Sequence, residues 1–184
     1  GATVNFTGAS SSAWETTTNW NTAALPATGD DAAFTANATL TSSQTIQRIA
    51  LQNAKELSIN SGGTLTAAGS VPLINANATL TINSGGTYTS DRPLDLRSGG
   101  GFVTVNDGGT LYLDGGSGVA GLRMTLGYLS INGSTANVTI NRLITAGDNS
   151  WTLQANNSTI ALDSGRLEVT NYMDWDGASA LSVG

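Results

Sequence analysis

Short stretches of alternating apolar and polar residues, separated by Gly-rich turns, fill most of this 184-residue chain. In Leu80-Thr81-Ile82, the first and third side chains point to one side of an extended strand, and the second points to the other. No apolar period of 3.6 residues continues for the length of a helix. The pattern therefore predicts an all-β protein built from short strands.

A ten-residue form of this pattern occurs three times at a fixed interval. The three copies cover residues 57–66, 80–89 and 103–112. The turn of each copy begins with an asparagine, and these are Asn60, Asn83 and Asn106, spaced 23 residues apart. A degenerate copy covers 38–50, and looser copies at 129–133 and 160–165 follow at longer intervals, which predicts loops projecting from the later coils. Such periods are typical of solenoids, in which each repeat forms one coil.

One coil can be constructed from the second copy. Leu80 and Ile82 fill the interior, and the Asn-Ser-Gly-Gly turn changes the direction of the chain because Asn and Gly tolerate positive φ. The strand at 87–89 buries its middle residue, and Leu94 with Leu96 closes the coil. The sequence thus predicts a right-handed parallel β-helix (β-solenoid) with coils of about 23 residues. A β-sandwich could use similar strands but would not explain the fixed interval.

Stacked coils place equivalent side chains above one another at about 4.8 Å. Three ladders are predicted: Asn60, Asn83 and Asn106 at a corner; Thr64, Thr87 and Thr110 on an outer face; Ile59, Ile82 and Val105 inside. The corner asparagines are expected to hydrogen-bond to each other along the stack. The Thr-x-Thr pattern solubilises a strand face, and ice binding by this face is an alternative.

Residues 1–35 do not follow the repeat. They are predicted to form an N-terminal strand and capping segment, followed by solenoid coils at 36–184 that are open at the C-terminal end. Trp14, Trp20 and Phe34 have the bulk to cover the apolar end of a solenoid, and Asp30 with Asp31 is expected to cap backbone amides. Stacking of sugars on exposed Trp is an alternative.

The same segment contains Trp14, the pair Asn19-Trp20, and Pro26-Ala-Thr-Gly-Asp-Asp-Ala-Ala-Phe34. It resembles the opening of bacterial secreted β-solenoid proteins of the autotransporter-associated-repeat type. There, a Trp and an Asn-Trp pair precede Pro-x-x-Gly-Asp-Asp-x-x-Phe, and coils rich in Ser, Thr, Asn and Gly follow. The resemblance covers residues 1–66 by motif and the remainder by composition. It implies a β-solenoid fold and a secreted or surface location.

The acidic net charge and the small number of basic residues argue against several classes of partner. The net charge is −6 and only 11% of the residues are charged, so clustered basic residues for nucleic acid or anionic membrane surfaces are missing. No apolar stretch reaches the roughly 18 residues of a membrane span, which predicts no membrane insertion. The chain begins at Gly1, as a mature protein does after signal removal, and a secreted, extracellular or cell-surface location is expected.

Catalytic chemistry is restricted because the chain has no His and no Cys. The commonest general base, His-dependent nucleophiles and thiolate metal sites are therefore excluded. Carboxylates remain, and the repeat places Asp91 and Asp114 one coil apart, near Arg92 and Arg97. A solvated corner is predicted there; a catalytic pair or a Ca²⁺ site is the alternative.

A fragment of a calcium loop is the other candidate for metal binding. Asp174-Trp-Asp176-Gly resembles such a fragment but lacks the further oxygen ligands that these loops need. We therefore expect no catalytic residue, no cofactor and no resident metal, with calcium as the alternative.

The C-terminal residues 176–184 resemble the start of another coil, without a capping segment after it. Leu181 and Val183 are expected to be exposed there, and the strand at 1–8, with Val4 and Phe6 on one face, is expected to pair with that edge in a neighbouring copy. The predicted function is a non-enzymatic extracellular structural subunit that binds copies of itself head to tail in a filament or surface layer. The alternatives are a module of a longer surface adhesin, or a β-helix that binds or degrades carbohydrate, with surface glycans as partners.

Overall fold

The computed structural model describes residues 1–96, 100–115, 120–142 and 151–184. These residues contain 21 strands and one 3₁₀ helix, Thr17–Asn19. The first seven strands are β1 (Thr3–Phe6), β2 (Asp31–Phe34), β3 (Ala38–Leu40), β4 (Ser43–Ile46), β5 (Arg48–Leu51), β6 (Glu56–Ile59) and β7 (Thr64–Ala67). The next seven are β8 (Leu73–Ile74), β9 (Thr79–Ile82), β10 (Thr87–Ser90), β11 (Leu94–Leu96), β12 (Phe102–Val105), β13 (Thr110–Asp114) and β14 (Leu122–Thr125). The last seven are β15 (Tyr128–Ile131), β16 (Asn137–Asn141), β17 (Leu153–Asn156), β18 (Thr159–Leu162), β19 (Arg166–Val169), β20 (Met173–Asp176) and β21 (Ala180–Val183).

The strands form three parallel sheets, and successive coils add one strand to each. Sheet A has the order β1-β2-β5-β8-β11-β14-β17-β20, sheet B has the order β3-β6-β9-β12-β15-β18-β21, and sheet C has the order β4-β7-β10-β13-β16-β19. Every pairing between these named strands is parallel. The predicted all-β, parallel β-solenoid is therefore confirmed, and the degenerate copy at 38–50 forms an early coil from β3, β4 and β5.

The core is a column of apolar side chains enclosed by the three sheets. Ile59 pairs with Ile82, and Ile82 pairs with Val105, as the predicted interior ladder requires. All three are buried, and Leu94 and Leu96 close their coil in sheet A, also buried. Fully burying a side chain of this size contributes about 1.5–3 kcal/mol to the free energy of unfolding. The apolar side chains that the alternating pattern buries in each coil therefore stabilise the stack.

Later coils are longer than the central ones. Asn83 and Asn106 are 23 residues apart, whereas Asn106 and Asn132 are 26 apart. The loops predicted to project from these coils coincide with 116–119 and 143–150, which lie outside the described residues. The strand register is maintained despite this difference in coil length: Phe102 pairs with Tyr128, and Val105 pairs with Ile131.

The segment between β1 and β2, residues 7–30, covers the first coil and is called the N-terminal cap. The rings of Trp14 and Trp20 meet edge to face with centroids 4.8 Å apart, and the Trp20 indole N–H donates to the Trp14 carbonyl at 2.7 Å. The Trp20 ring also contacts Phe6 at 5.1 Å and Phe34 at 6.1 Å. Because Trp14 is 0% exposed and Trp20 only 2%, these rings close the apolar end of the core.

Polar contacts hold the cap in place. Buried Asn19 accepts hydrogen bonds from the Ser10 and Ser11 amides and donates to the Ala13 carbonyl.

Asp30 caps amides as expected, since its carboxylate accepts from the N–H groups of Ala2 and Ala27. In contrast, Asp31 is the first residue of β2 and pairs with Arg48 at 2.8 Å. Its role is an ion pair across adjacent strands.

Candidate functional site

The predicted corner asparagines lie one above another along the solenoid axis. The Asn83 amide donates to the Asn60 side-chain oxygen at 2.8 Å, and Asn106 donates to Asn83 at the same distance. Asn132 continues the row with a longer contact of 3.4 Å to Asn106. Glycine is required beside this corner, because a Cβ at Gly86 would lie 2.4 Å from the Ile59 carbonyl oxygen. The row adds side-chain hydrogen bonds at one corner to the main-chain bonds that set the spacing of the coils.

Hydroxyl side chains cover the outer face of sheet C. Thr64, Thr87 and Thr110 pair in register, which confirms the predicted outer ladder, and Ser43 extends it by one coil. The second row runs through Thr66 and Thr89 and then reaches Tyr112, which is 39% exposed. This aromatic side chain interrupts the regular Thr-x-Thr face.

Asp91 and Asp114 lie at the ends of strands in neighbouring coils. The Asp91 carboxylate accepts a hydrogen bond from the Gly69 amide in the preceding coil, and it lies 4.0 Å from Arg92. Ser90 pairs with Leu113, so Asp91 and Asp114 follow at equivalent positions one coil apart, as the repeat predicts. Arg97, which was expected beside the two, lies outside the described residues. The solvated corner predicted for this pair, with a catalytic pair or a Ca²⁺ site as the alternative, stays a prediction.

The residues predicted to form an assembly interface divide between the two ends. Val4 and Phe6 are only 4% and 0% exposed, because β1 pairs with β2 and its apolar face belongs to the chain's own core. Their side chains are therefore not available to a second copy, which corrects the expectation from sequence. Leu181 is 48% exposed and Val183 is 68% exposed, so the apolar positions of β21 are open at the opposite end.

The main chain shows the same difference between the ends. On the outer edge of β1, the Thr7 amide donates to the Asn19 carbonyl at 2.6 Å and the Asn21 amide donates to the Asn5 carbonyl at 2.9 Å. The edge of β3 is covered by a bridge between Ala13 and Thr39. Sheet C also ends at β4 on the side of the cap, and within the described chain β19, β20 and β21 end the three sheets at the opposite end with no strand beyond them. These three strands are called the C-terminal coil.

A polar depression lies on the outer face of sheet A, and its last strand, β20, belongs to the C-terminal coil. Its volume is about 290 Å³, and its polar lining residues are Arg123, Thr125, Gln154, Asn156, Asp174 and Asp176. These residues come from alternate positions of β14, β17 and β20, which pair in register. Parallel stacking therefore places two rows side by side, and this feature is called the sheet A groove.

Charge is unevenly distributed in the sheet A groove. The Arg123 guanidinium donates to the Asp95 carboxylate at 3.1 Å, and the Asp95 side chain is fully buried. At the other end, partial desolvation raises the pKa of Asp174, and the neighbouring Asp176 carboxyl raises it further through a hydrogen bond and its negative charge. The open part of the groove is therefore acidic.

The pH dependence of stability should report this repulsion. Because the folded chain raises the pKa of Asp174, its protonated form is favoured by folding, and that contribution is lost as pH rises through the raised value. Asp174→Asn is therefore expected to raise the melting temperature at pH 7 and to change it little below about pH 3. Thermal unfolding followed by circular dichroism across this range is the measurement.

Asp107→Asn is the control of opposite sign. Hydrogen bonds from the Thr135 hydroxyl and amide lower the pKa of Asp107, so its ionised form is favoured by folding. This substitution is expected to lower the melting temperature at pH 7. Equal shifts for both variants, or a fall for Asp174→Asn, would contradict the assigned electrostatics.

Two exposed aromatic residues precede strands of the sheet A groove along the chain. Trp151 is 37% exposed and Tyr172 is 49% exposed, and their rings meet edge to face with centroids 6.3 Å apart. They precede β17 and β20, the strands that carry most of the groove. Sequence reasoning missed both features; the available signal was the alternation of polar residues in Gln154-Ala-Asn156 and Asp174-Trp-Asp176.

Neither a cluster of metal ligands nor a long apolar helix occurs among the residues that the structure describes. No three carboxylates come close enough together to hold a metal ion. No helix in these ranges has the length and apolarity needed to cross a bilayer. Comparison with models of protein families, with curated proteins and with solved structures finds no match to this chain.

Proposed function

We propose that this chain is a non-enzymatic structural β-solenoid of the extracellular space or cell surface, and that it associates through its C-terminal coil. The observation that carries this proposal is the difference between the two ends. Trp14 in the N-terminal cap is 0% exposed, whereas Val183 in the C-terminal coil is 68% exposed. Support for the location comes from the hydroxyl-rich outer faces and from the resemblance of residues 1–66 to secreted β-solenoid proteins.

The C-terminal coil offers a surface suited to β-strand addition. Each of its three strands is at the end of a parallel sheet, so its outer N–H and C=O groups lack a partner strand in the described chain. Such edges readily pair with another chain. Leu181 continues the interior row below Ile160, and Val183 continues the row below Leu162. A second layer of β-structure would satisfy the backbone and cover these apolar side chains.

The partner proposed for this surface is a second copy of the chain. Head-to-tail stacking would need open edges in all three sheets at the N-terminal end, but there the cap covers β1 and β3 and only β4 of sheet C has no strand beyond it in the described chain. Two C-terminal coils can instead meet about a two-fold axis, because antiparallel pairing of identical edges is self-complementary. We therefore expect a closed tail-to-tail dimer; filaments would require the cap to move aside.

The dimer should depend on the apolar side chains of β21. The double variant Leu181→Asn/Val183→Asn is expected to weaken self-association at least about tenfold, a loss of about 1.4 kcal/mol or more. The fold should be retained, since both residues are exposed. Light scattering after size-exclusion chromatography, over a range of protein concentrations, measures the change.

Ser182→Ala is the matched control, because Ser182 occupies the outward-facing position between the two apolar residues. It should dimerise like the wild type. A wild-type chain that stays monomeric at millimolar concentration, or a double variant that dimerises normally, would contradict self-association through this coil.

A second candidate is a module of a longer surface adhesin, in which further coils of the same polypeptide cover β21. The observation in its favour is the strand register of the last coil. All four residues of β21 pair in order with those of β18, from Ala180 with Thr159 to Val183 with Leu162. An antibody raised against the folded coils would distinguish the two candidates in producing cells. A band well above the chain's 18.7 kDa would support the adhesin module, and a band at that mass would contradict it.

A further inference from the structure

We propose that the sheet A groove and the adjacent aromatic pair, Trp151 and Tyr172, form a binding site for a neutral oligosaccharide. This goes beyond the structural role, because it assigns a ligand to the outer face of sheet A and not to the open strand edges of the C-terminal coil. Three independent observations carry the proposal: the arrangement of polar groups in the groove, the exposure of the two aromatic rings, and the sign of the local charge.

The first observation is the two-dimensional order of the polar groups. Arg123, Gln154 and Asp174 form one row across three coils, with rows set by strand pairing. A second row, displaced by two residues along each strand, contains Thr125, Asn156 and Asp176. Neighbours within a row are about 4.8 Å apart, and the two rows are about 7 Å apart. These spacings suit the hydroxyl groups on one pyranose ring and on the next.

The chemistry of the lining suits sugars as well. Carboxylates accept hydrogen bonds from hydroxyls, a guanidinium donates, and amides such as Gln154 and Asn156 do both. A hydroxyl group both donates and accepts, so a sugar needs this mixture of partners. The volume of about 290 Å³ is at the small end for ligand sites, which fits one or two sugar rings in an open groove.

The second observation is the exposure of Trp151 and Tyr172. The chain buries Trp14 and Trp20 almost completely, yet leaves 37% of Trp151 and 49% of Tyr172 in contact with solvent. An aromatic face packs well against the C–H face of a pyranose while its polar atom stays hydrated. Trp151 precedes Gln154 by three residues and Tyr172 precedes Asp174 by two, so the rings begin about 7–10 Å from the groove. One oligosaccharide can therefore reach both.

The third observation is charge, which selects the class of glycan. Arg123 already donates to the buried Asp95, so its charge is compensated. Asp174 and Asp176 remain, two residues apart on the outer face of β20, where burial and the neighbouring Asp176 carboxyl raise the pKa of Asp174. A uronate or sulfated glycan would add more negative charge beside this pair. The groove therefore favours a neutral glycan over an anionic one.

The proposal is tested with isothermal titration of the full chain against defined sugars. The probes are hexasaccharides of β-1,3-glucose, β-1,4-glucose, β-1,4-mannose and N-acetylglucosamine, with hexagalacturonate as the anionic comparison. At least one neutral probe is expected to bind with a Kd between about 10 μM and 1 mM, and hexagalacturonate at least about tenfold more weakly. No binding of any neutral probe up to about 5 mM would overturn the site.

Two variants place the binding on this face. Trp151→Ala and Asp176→Ala should each weaken the best neutral probe by about fivefold or more, with unchanged circular dichroism. Tyr112→Ala is the matched control, since Tyr112 is an aromatic residue of similar exposure, 39%, on sheet C. Binding unaffected by the first two changes, or equally reduced by the third, would overturn the site.

The double variant that weakens self-association separates the proposed oligosaccharide site from the proposed structural function. Leu181→Asn/Val183→Asn leaves both Trp151 and the sheet A groove intact, so it should bind the same sugar while failing to dimerise. If dimerisation fails in the wild type but the sugar binds, only the mode of association is wrong. If loss of the dimer abolishes sugar binding, a groove complete within one copy is contradicted.

Discussion

Trp20→Ala is expected to lower the free energy of unfolding by about 3–5 kcal/mol, the usual loss for a buried aromatic residue replaced by alanine. The Trp20 ring is 2% exposed and contacts the rings of Phe6, Trp14 and Phe34. Its indole N–H is also the donor to the Trp14 carbonyl. The variant therefore creates a cavity and leaves a buried carbonyl with one partner fewer. Urea unfolding followed by far-ultraviolet circular dichroism is the measurement.

Trp151→Ala makes the same chemical change at an exposed position and serves as the control. It is expected to change the free energy of unfolding by no more than about 0.5 kcal/mol, as surface substitutions usually do. Hydrogen exchange should show faster amide exchange in β1 and β2 of Trp20→Ala than in the central coils. Similar small losses for both variants would mean that the aromatic cluster does not hold the first coil closed.

Asn83→Ala is expected to lower the free energy of unfolding by about 2–3 kcal/mol. Asn83 is the central member of the corner row: it donates to Asn60 and accepts from Asn106, each at 2.8 Å. Both bonds are partly buried, so the neighbouring amides lose partners that water replaces incompletely. Urea unfolding measures the loss, and the slope with denaturant should remain that of the wild type.

Asn132→Ala is the internal comparison for this row. Asn132 reaches Asn106 only at 3.4 Å, a distance at which a hydrogen bond contributes little. We expect a loss below about 1 kcal/mol for this variant. If Asn132→Ala lowers the free energy of unfolding as much as Asn83→Ala does, asparagine stabilises the corner through its turn conformation. The side-chain hydrogen bonds along the row would then not be the cause.

The central coils could be predicted because their sequence repeats without insertions. A fixed interval between Asn60, Asn83 and Asn106 determines which residues are neighbours across coils, and alternation determines which face is buried. Leu94 and Leu96 were recognised as the closing strand for the same reason. The three apolar segments of one repeat correspond to the three sheets of the structure.

The location of β1 could not be predicted in the same way. Alternation in Ala-Thr-Val-Asn-Phe shows that Val4 and Phe6 share a face, but not what that face packs against. A strand added to a neighbour and a strand in the chain's own first coil have the same pattern. The deciding contacts come from Asn19 and Trp20 in the cap, and no local rule predicts that they return to β1.

The sheet A groove was missed because it arises between coils of unequal length. β14, β17 and β20 are brought into register by coils that do not share the interval of 23 residues, so Arg123 and Asp174 cannot be aligned by counting. Their strands also differ in sequence, as Leu-Arg-Met-Thr and Met-Asp-Trp-Asp show. Side chains from three such strands become neighbours only when the backbone is known.

The direction of the interstrand hydrogen bonds has a mechanical consequence. These hydrogen bonds run along the solenoid axis. A force that separates the two ends of the solenoid would therefore break them one coil at a time. Each released coil of 23 residues would add about 75–80 Å of extended chain for about 5 Å of folded length. The first coil would hold longest, because the packed rings of the N-terminal cap add to its strand pairing. Under tension the molecule would therefore lengthen in steps and absorb work while most of its coils stayed folded.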